Sequence, residues 1–325
     1  ISTLFQSLGE YEKAKECIKK ALAIRNEFGD RKGEAADYGN LGTLFLSLGE
    51  YEKAEEYMEK ALAIRKEIGD KMGEATHWRT LGTLSHLLGD YKRAKKYTEK
   101  ALAIRSEIGD RGGKADDYRN LGKLFHSQGE NEKAKEYTEK ALAIRKEIGD
   151  RKGEADDYGN LATLFHSRSE NEKAKECIKK ALAIRNELGD RKGEAADYEN
   201  LGTLFLSLGE YEKAEEYMEK ALEVTKEIGD RKGEAADHGN LGSLFHLLGE
   251  HEKAEEYMEK APRIRKEIGN RKGEADHYGN LGALFRSLGE CKKAKEYTEK
   301  ALAVRKEIGD RKGEAADYGN LGTLF

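Results

Sequence analysis

Apolar residues return along this chain at the spacing of a helix. Across residues 31–48 the apolar or small positions are Tyr38, Leu41, Gly42, Leu44, Phe45 and Leu48, one stripe of a 3.6-residue period. Across residues 51–68 the stripe is Tyr51, Ala54, Tyr57, Met58, Ala61, Leu62, Ile64 and Ile68. Gly49 and Gly69 follow the two stripes and suit helix C-termini, where a left-handed residue is favoured. Asp30 and Asp70 precede the next first helix and suit N-caps. Glu56–Lys60 and Glu136–Lys140 stand four apart with the acid first, which supports an exposed helix face, and the charge runs as a whole read as solvated surface. The pattern predicts two helices in every 40 residues.

The same 40-residue unit is written eight times without a gap. Leu41, Leu81, Leu121, Leu161, Leu201, Leu241, Leu281 and Leu321 are in phase, as are Ala54, Ala94, Ala134, Ala174, Ala214, Ala254 and Ala294. A longer copying event lies above this period: residues 41–62 recur verbatim at 201–222. No composition shift marks a boundary. The reading is therefore one all-α array over residues 1–325, with helix pairs at about 31–68, 71–108, 111–148, 151–188, 191–228, 231–268 and 271–308 and partial units at both ends. Gly42 and its partners, with Ala54 and Ala61, put small side chains where two helix axes meet, so antiparallel pairs can approach closely and stack as a solenoid. The start at Ile1 and the stop at Phe325, inside a unit, predict a slice of a longer array.

Composition narrows the function. Charged residues make up 38% of the chain, yet 59 basic and 63 acidic residues leave a net charge of only -4, which disfavours a nucleic-acid binder. The apolar runs are too short for a membrane span. Three cysteines, with Cys17 and Cys177 four units apart, fit a reducing compartment and predict a cytoplasmic location; they occupy slots held by Tyr elsewhere and read as packing residues. Catalytic motifs fail. The stretch Gly109-Asp-Arg-Gly-Gly-Lys114 lacks the spacing of a phosphate loop, and His251-Glu-Lys-Ala-Glu255 lacks the second histidine of a zinc helix. No catalytic set, metal or cofactor is expected.

The signature Tyr38-x2-Leu41-Gly42-x2-Phe45, then Ala54-x3-Met58 and Ala61, resembles the tetratricopeptide repeat, and Trp78-x2-Leu81-Gly82 matches its aromatic start more closely. The period is 40 rather than the usual 34, and the proline that usually closes the second helix is absent. Units of this length with Ile-Gly-Asp-Arg-x-Gly-Glu-Ala are similar to LGN/Pins-type G-protein-signalling modulators, which orient mitotic spindles. The resemblance implies a right-handed superhelix whose first helices line a concave groove for extended peptide segments of partner proteins. Two alternatives stay open: the sensor region of a larger signalling ATPase or enzyme, and an architectural spacer.

The candidate site is the face of the first helix opposite its core stripe. Asn40, Asn120, Asn160, Asn200, Asn240, Asn280 and Asn320 form a row there, broken once by Thr80. An amide offers both a donor and an acceptor, so each can pair with both halves of a peptide bond, a role the resemblance also implies. The competing reading is that the row bonds neighbouring helices and only shapes the array. Thr43 and Thr83 lie one turn on, and His86, His126, His166 and His246 form a second row, one layer of about 10 Å per member and too widely spaced to share a metal. Arg79, Arg119 and Lys123 replace the usual small residues on adjacent layers. They are read as a pocket for acidic side chains, against the alternative that Asp116 neutralises Arg119 within its own helix. Two structural expectations complete the reading. Pro262 predicts a bend in a second helix near Met258. Gln128, Arg168 and Ser169, with Asn131 and Asn171, predict a weak central joint through loss of a buried Leu and Tyr.

Overall fold

The computed structural model describes residues 11–323, which form sixteen α-helices and no strand. The partial repeats expected at the two ends reach into residues 1–10 and 324–325, outside the described residues. Close contacts divide the chain into two units, after Leu164. The first holds α1 (Tyr11–Phe28), α2 (Arg31–Ser47), α3 (Tyr51–Glu67), α4 (Lys71–Leu87), α5 (Tyr91–Glu107), α6 (Arg111–Ser127), α7 (Asn131–Ile148) and most of α8 (Arg151–Ser167). The second continues with α9 (Asn171–Leu188), α10 (Arg191–Ser207), α11 (Tyr211–Glu227), α12 (Arg231–Leu247), α13 (His251–Glu267), α14 (Arg271–Ser287), α15 (Cys291–Ile308) and α16 (Arg311–Gly322). Within each unit an even-numbered helix packs most extensively on the odd-numbered helix that follows it. The all-α helix-pair array expected from the period is what the chain forms.

Local chemistry sets the helix ends. Asp30 accepts a hydrogen bond from the Gly33 amide at 2.9 Å, and Asp70, Asp110, Asp150, Asp190, Asp230, Asn270 and Asp310 cap the other first helices in the same way. The turns close on glycines in the left-handed region, such as Gly49 at φ 75°. Ser169 is the one non-glycine residue among those described with positive φ, at 59°.

The core repeats as well. Leu41, Leu44 and Phe45 bury against Ala54, Met58, Ala61 and Leu62. Gly42 is needed because a Cβ there would lie 2.7 Å from the Met58 Cγ and 3.2 Å from the Ala54 carbonyl oxygen. Phe45 stacks on Tyr57 at 5.4 Å and 6°, an arrangement repeated by Phe125–Tyr137, Phe205–Tyr217 and Phe285–Tyr297. The ammonium of Lys60 covers the Tyr57 ring at 5.0 Å.

Two expectations are corrected here. The first-helix stripe is fully buried only as far as Phe45: Leu48, Leu88, Leu208, Tyr51 and Tyr211 are exposed, and Leu248, Leu288 and Tyr91 are half-buried. The residues missing from the central joint are thus exposed or half-buried at the sibling joints, so Gln128, Arg168, Asn131 and Asn171 forfeit less burial than a fully buried Leu and Tyr would. Helix α13 continues through Pro262, from His251 to Glu267, the same span as α11, with Pro262 buried inside it. Cys177 is buried as a packing residue, but Cys291 is exposed.

Candidate functional site

Most joints between successive repeats pair an arginine with a buried aspartate. Arg25 stands 3.3 Å from Asp37, Arg105 stands 3.1 Å from Asp117, and Arg145 Nε donates to Asp157 at 3.0 Å. In the second unit Arg305 donates to Asp317 at 2.5 Å. The arginine closes a second helix and the aspartate lies twelve residues on, in the next first helix. Gly33 and its equivalents are small because this arginine crosses them: a Cβ on Gly113 would collide with the Arg105 guanidinium. Burial dominates these acids. It pushes Asp117 up to about 7 and Asp157 up to about 6, against the pull of Arg105 and Arg145 respectively. Arg145 also donates a hydrogen bond to Asp157, whereas Arg105 stands at ion-pair distance from Asp117.

At three joints one partner is replaced: His77 and His277 stand in place of the acid, and Thr225 in place of the arginine. Where the acid is replaced by His77, Arg65 keeps its contact with Asp70, and burial lowers the imidazole, which bonds the Gly73 carbonyl at 2.8 Å. Where the arginine is replaced by Thr225, its hydroxyl donates to Asp237 at 2.7 Å. At that joint Glu199 occupies the slot of Gly39, and burial, then the Asp237 carboxyl beside it, push Glu199 up to about 8. Sequence reasoning missed this layer because it followed apolar residues and assigned charge to the surface. The signal was present as a phased arginine and a phased aspartate twelve residues on.

The expected site residues lie above this layer. Asn40, Asn200, Asn240 and Asn280 are exposed, and Asn120, Asn160 and Asn320 are half-buried. Asn320 accepts from Arg286 at 3.2 Å. The other six side-chain amides make no hydrogen bond with any described residue. Thr43 and Thr83 spend their hydroxyl protons on their own helices, on the Gly39 and Arg79 carbonyls at 3.1 and 3.2 Å. The histidines are tied individually: His86 to Ser127 at 2.9 Å, His126 to Asn131 at 3.2 Å, His166 to Asn171 at 3.3 Å and His246 to Ser287 at 3.3 Å.

The three expected cations separate into two groups. Arg79 donates to Asp116 at 2.7 Å, while Arg119 donates to Asp116 at 3.0 Å and to Asp156 at 3.3 Å. Arg145 joins Asp116 at 2.5 Å. Burial raises Asp116, but the Arg145 hydrogen bond and the charges of Arg119 and Arg79 outweigh it and hold the carboxyl below the usual aspartate range. The alternative pairing of Arg119 with Asp116 is therefore present, and a second helix supplies Asp156 as well. Lys123 stands apart. It lines a cleft of about 290 Å³ between α4, α6, α7 and α8, together with His86, His126 and Asn160. Partial desolvation, then the Arg119 charge, lower its ammonium. Among the described residues no group of three or more His, Cys, Asp or Glu side chains could hold a metal ion, and no helix is long and apolar enough to cross a membrane.

A helix-pair array whose second helices seat a small residue against each first helix defines a class. The tetratricopeptide repeat model matches residues 1–67, 73–147, 154–227, 196–267 and 234–307, and the chain belongs to that family. The family is typically a protein-interaction module. No curated protein matches the sequence. Among solved structures the chain is similar to BtubC from P. vanneervenii, at 23% identity over 68% of this chain and 92% of that one, with a TM-score of 0.59. It is also similar to a signal transduction ATPase with numerous domains and a tetratricopeptide repeat sensor from Pyrococcus horikoshii, at 19% identity over 89% of this chain and 46% of that one, with a TM-score of 0.65. A Rap protein complexed with competence and sporulation factor matches at 14% identity over 99% of this chain and 95% of that one, with a TM-score of 0.62.

Proposed function

We propose that this chain is a non-catalytic scaffold whose first-helix face binds extended peptide segments of partner proteins through its asparagine row. The observation that carries this reading is the unspent hydrogen-bonding capacity of Asn40, Asn120, Asn160, Asn200, Asn240 and Asn280. A row that only shaped the array would spend these amides on neighbouring helices. The neighbouring polar groups instead bond to one another: Arg79 and Arg119 to aspartates, His86 to Ser127, and Thr43 to its own helix. A free amide can accept a backbone N–H and donate to a carbonyl, so it grips any extended chain. The narrower assignment to G-protein-signalling modulators in the cytoplasm rests on the resemblance of the 40-residue unit alone. The sensor-region alternative has its own support, since the Pyrococcus horikoshii protein carries a tetratricopeptide repeat sensor.

Main-chain contacts carry little side-chain information. Asn120→Ala and Asn200→Ala should each lower affinity for many unrelated peptides alike, with unchanged circular dichroism. Peptides selected from a random twelve-residue display library and titrated by fluorescence anisotropy provide the measurement. Unchanged affinities in both variants would show that the row does not hold the ligand.

A further inference from the structure

The cleft beside Lys123 carries a more specific reading, which rests on the peptide-binding function proposed above. We propose that it receives a glutamate side chain of the bound segment, with the carboxylate on Lys123 and the methylene stem against the apolar floor.

Three observations converge on that occupant. The first is charge. Arg79 and Arg119 are satisfied by Asp116 and Asp156, whereas Lys123 has no acidic partner within ion-pair distance among the described residues. Its field is felt nearby: desolvation first, and the Lys123 charge second, lower the His86 imidazole, and among the described residues Lys123 is the one lysine or arginine lining the cleft. The Asp156 and Asp157 carboxylates act on Lys123 only from beyond ion-pair distance, so its charge still favours a negative group on a bound segment.

The second observation is the lining. Ala134 and Leu164 form an apolar floor beneath the polar rim of His126 and Asn160, at a volume of about 290 Å³. A glutamate presents a short aliphatic stem ending in a carboxylate, which matches that gradient. A phosphate dianion is best held by the two-pronged grip of a free guanidinium, and both nearby arginines are already engaged.

The third is position. Asn160 lines the cleft and belongs to the asparagine row, so a segment held by its main chain at Asn120 and Asn160 would pass over Lys123. The cleft lies wholly within the first unit. It would therefore fix the register of one side chain on a segment that the amides hold without regard to sequence.

The test uses the intact 325-residue chain and a displayed random library of twelve-residue peptides. Selection on the unaltered chain should enrich glutamate at one fixed position. Replacing that glutamate by alanine in the selected peptide should lower affinity about tenfold at low salt, and less at high salt, where the Debye length shrinks to a few Å. Lys123→Met should erase the preference, and Lys123→Glu should turn it toward Lys or Arg. Lys123 is a surface-facing residue, and circular dichroism would verify that both variants fold. If Asn120→Ala weakens every peptide but Lys123→Met leaves the glutamate preference intact, the groove reading stands and the glutamate pocket falls. If phosphoserine at the selected position binds more tightly than glutamate, the carboxylate assignment is wrong. If no peptide is enriched at all, the peptide-binding reading and this inference fail together.

Discussion

Single side chains carry large consequences because the joints bury their charges. Arg145 is 4% exposed and faces Asp116, Asp150 and Asp157 at once. Truncating one partner of a buried ionic cluster leaves uncompensated charge, at a cost of about 3–5 kcal/mol. Arg145→Met should therefore destabilise the chain by that amount in urea denaturation, far more than the loss of an exposed lysine such as Lys140. A change smaller than about 1 kcal/mol would mean that the cluster contributes no net stability. Ser169 offers the opposite case. It holds a left-handed backbone conformation that every sibling turn in the described residues gives to glycine. A side chain in that region costs about 1 kcal/mol, so Ser169→Gly should raise the denaturation midpoint by a corresponding amount. No gain would show that the turn relaxes without strain.

Helices here are copies of one another, which makes departures readable at the level of the element. The first-helix residue facing the second helix is glycine at 42, 82, 122, 202, 242 and 282, where it meets Met58, Thr98, Thr138, Met218, Met258 and Thr298. Unit α8 alone has Ala162 in that slot, buried like the glycines. Helix α13 differs by its proline. Pro262 lacks the amide that would donate to the Met258 carbonyl, yet helical structure continues through it because Ala254, Met258, Ala261 and Ile264 remain buried on either side. Tertiary packing outweighs the local defect, but the missing bond still has a cost. Pro262→Leu restores the residue found at Leu222 and should stabilise the second unit by up to about 3 kcal/mol. Calorimetry of the two chains would measure it, and an unchanged melting temperature would mean that the helix has already absorbed the defect.

Across the molecule the buried acids tie stability to pH. Glu199 at about 8, Asp117 at about 7 and Asp157 at about 6 all lie above their ordinary values of 4.5, 3.8 and 3.8. The folded chain therefore holds protons that the unfolded chain has released over this range. Stability from these groups is complete below about pH 4, where both states are protonated, and is lost as pH rises through about 6 to 8. Denaturation midpoints should fall between pH 5.5 and 8.5, and Glu199→Gln should flatten the upper part of that slope. A midpoint that rises across this range, or a slope unaffected by Glu199→Gln, would contradict the assignment. Within the second unit, amide exchange at high pH should quicken first around Glu199 and Asp237, the joint that has Thr225 in place of an arginine.

The sequence by itself determined the helices, their caps and the asparagine row. Each depends on short-range spacing: a stripe of Leu41, Leu44 and Phe45, an aspartate three residues before Gly33, an amide at a fixed phase. Repetition multiplied those weak signals until the family resemblance was legible. Tertiary structure decided what the charges do. Arg105 and Asp117 are twelve residues apart and look like surface groups in any single helix, but stacking one repeat on the next removes both from water. The same stacking placed Asp156 beside Arg119 and left Lys123 in the cleft with His86 and Asn160, residues 37 apart on either side of it. The spacing could nominate three cations. Only the packed helices could say which of them still lacked a partner, because ion pairing depends on distances between helices that sequence periodicity does not encode.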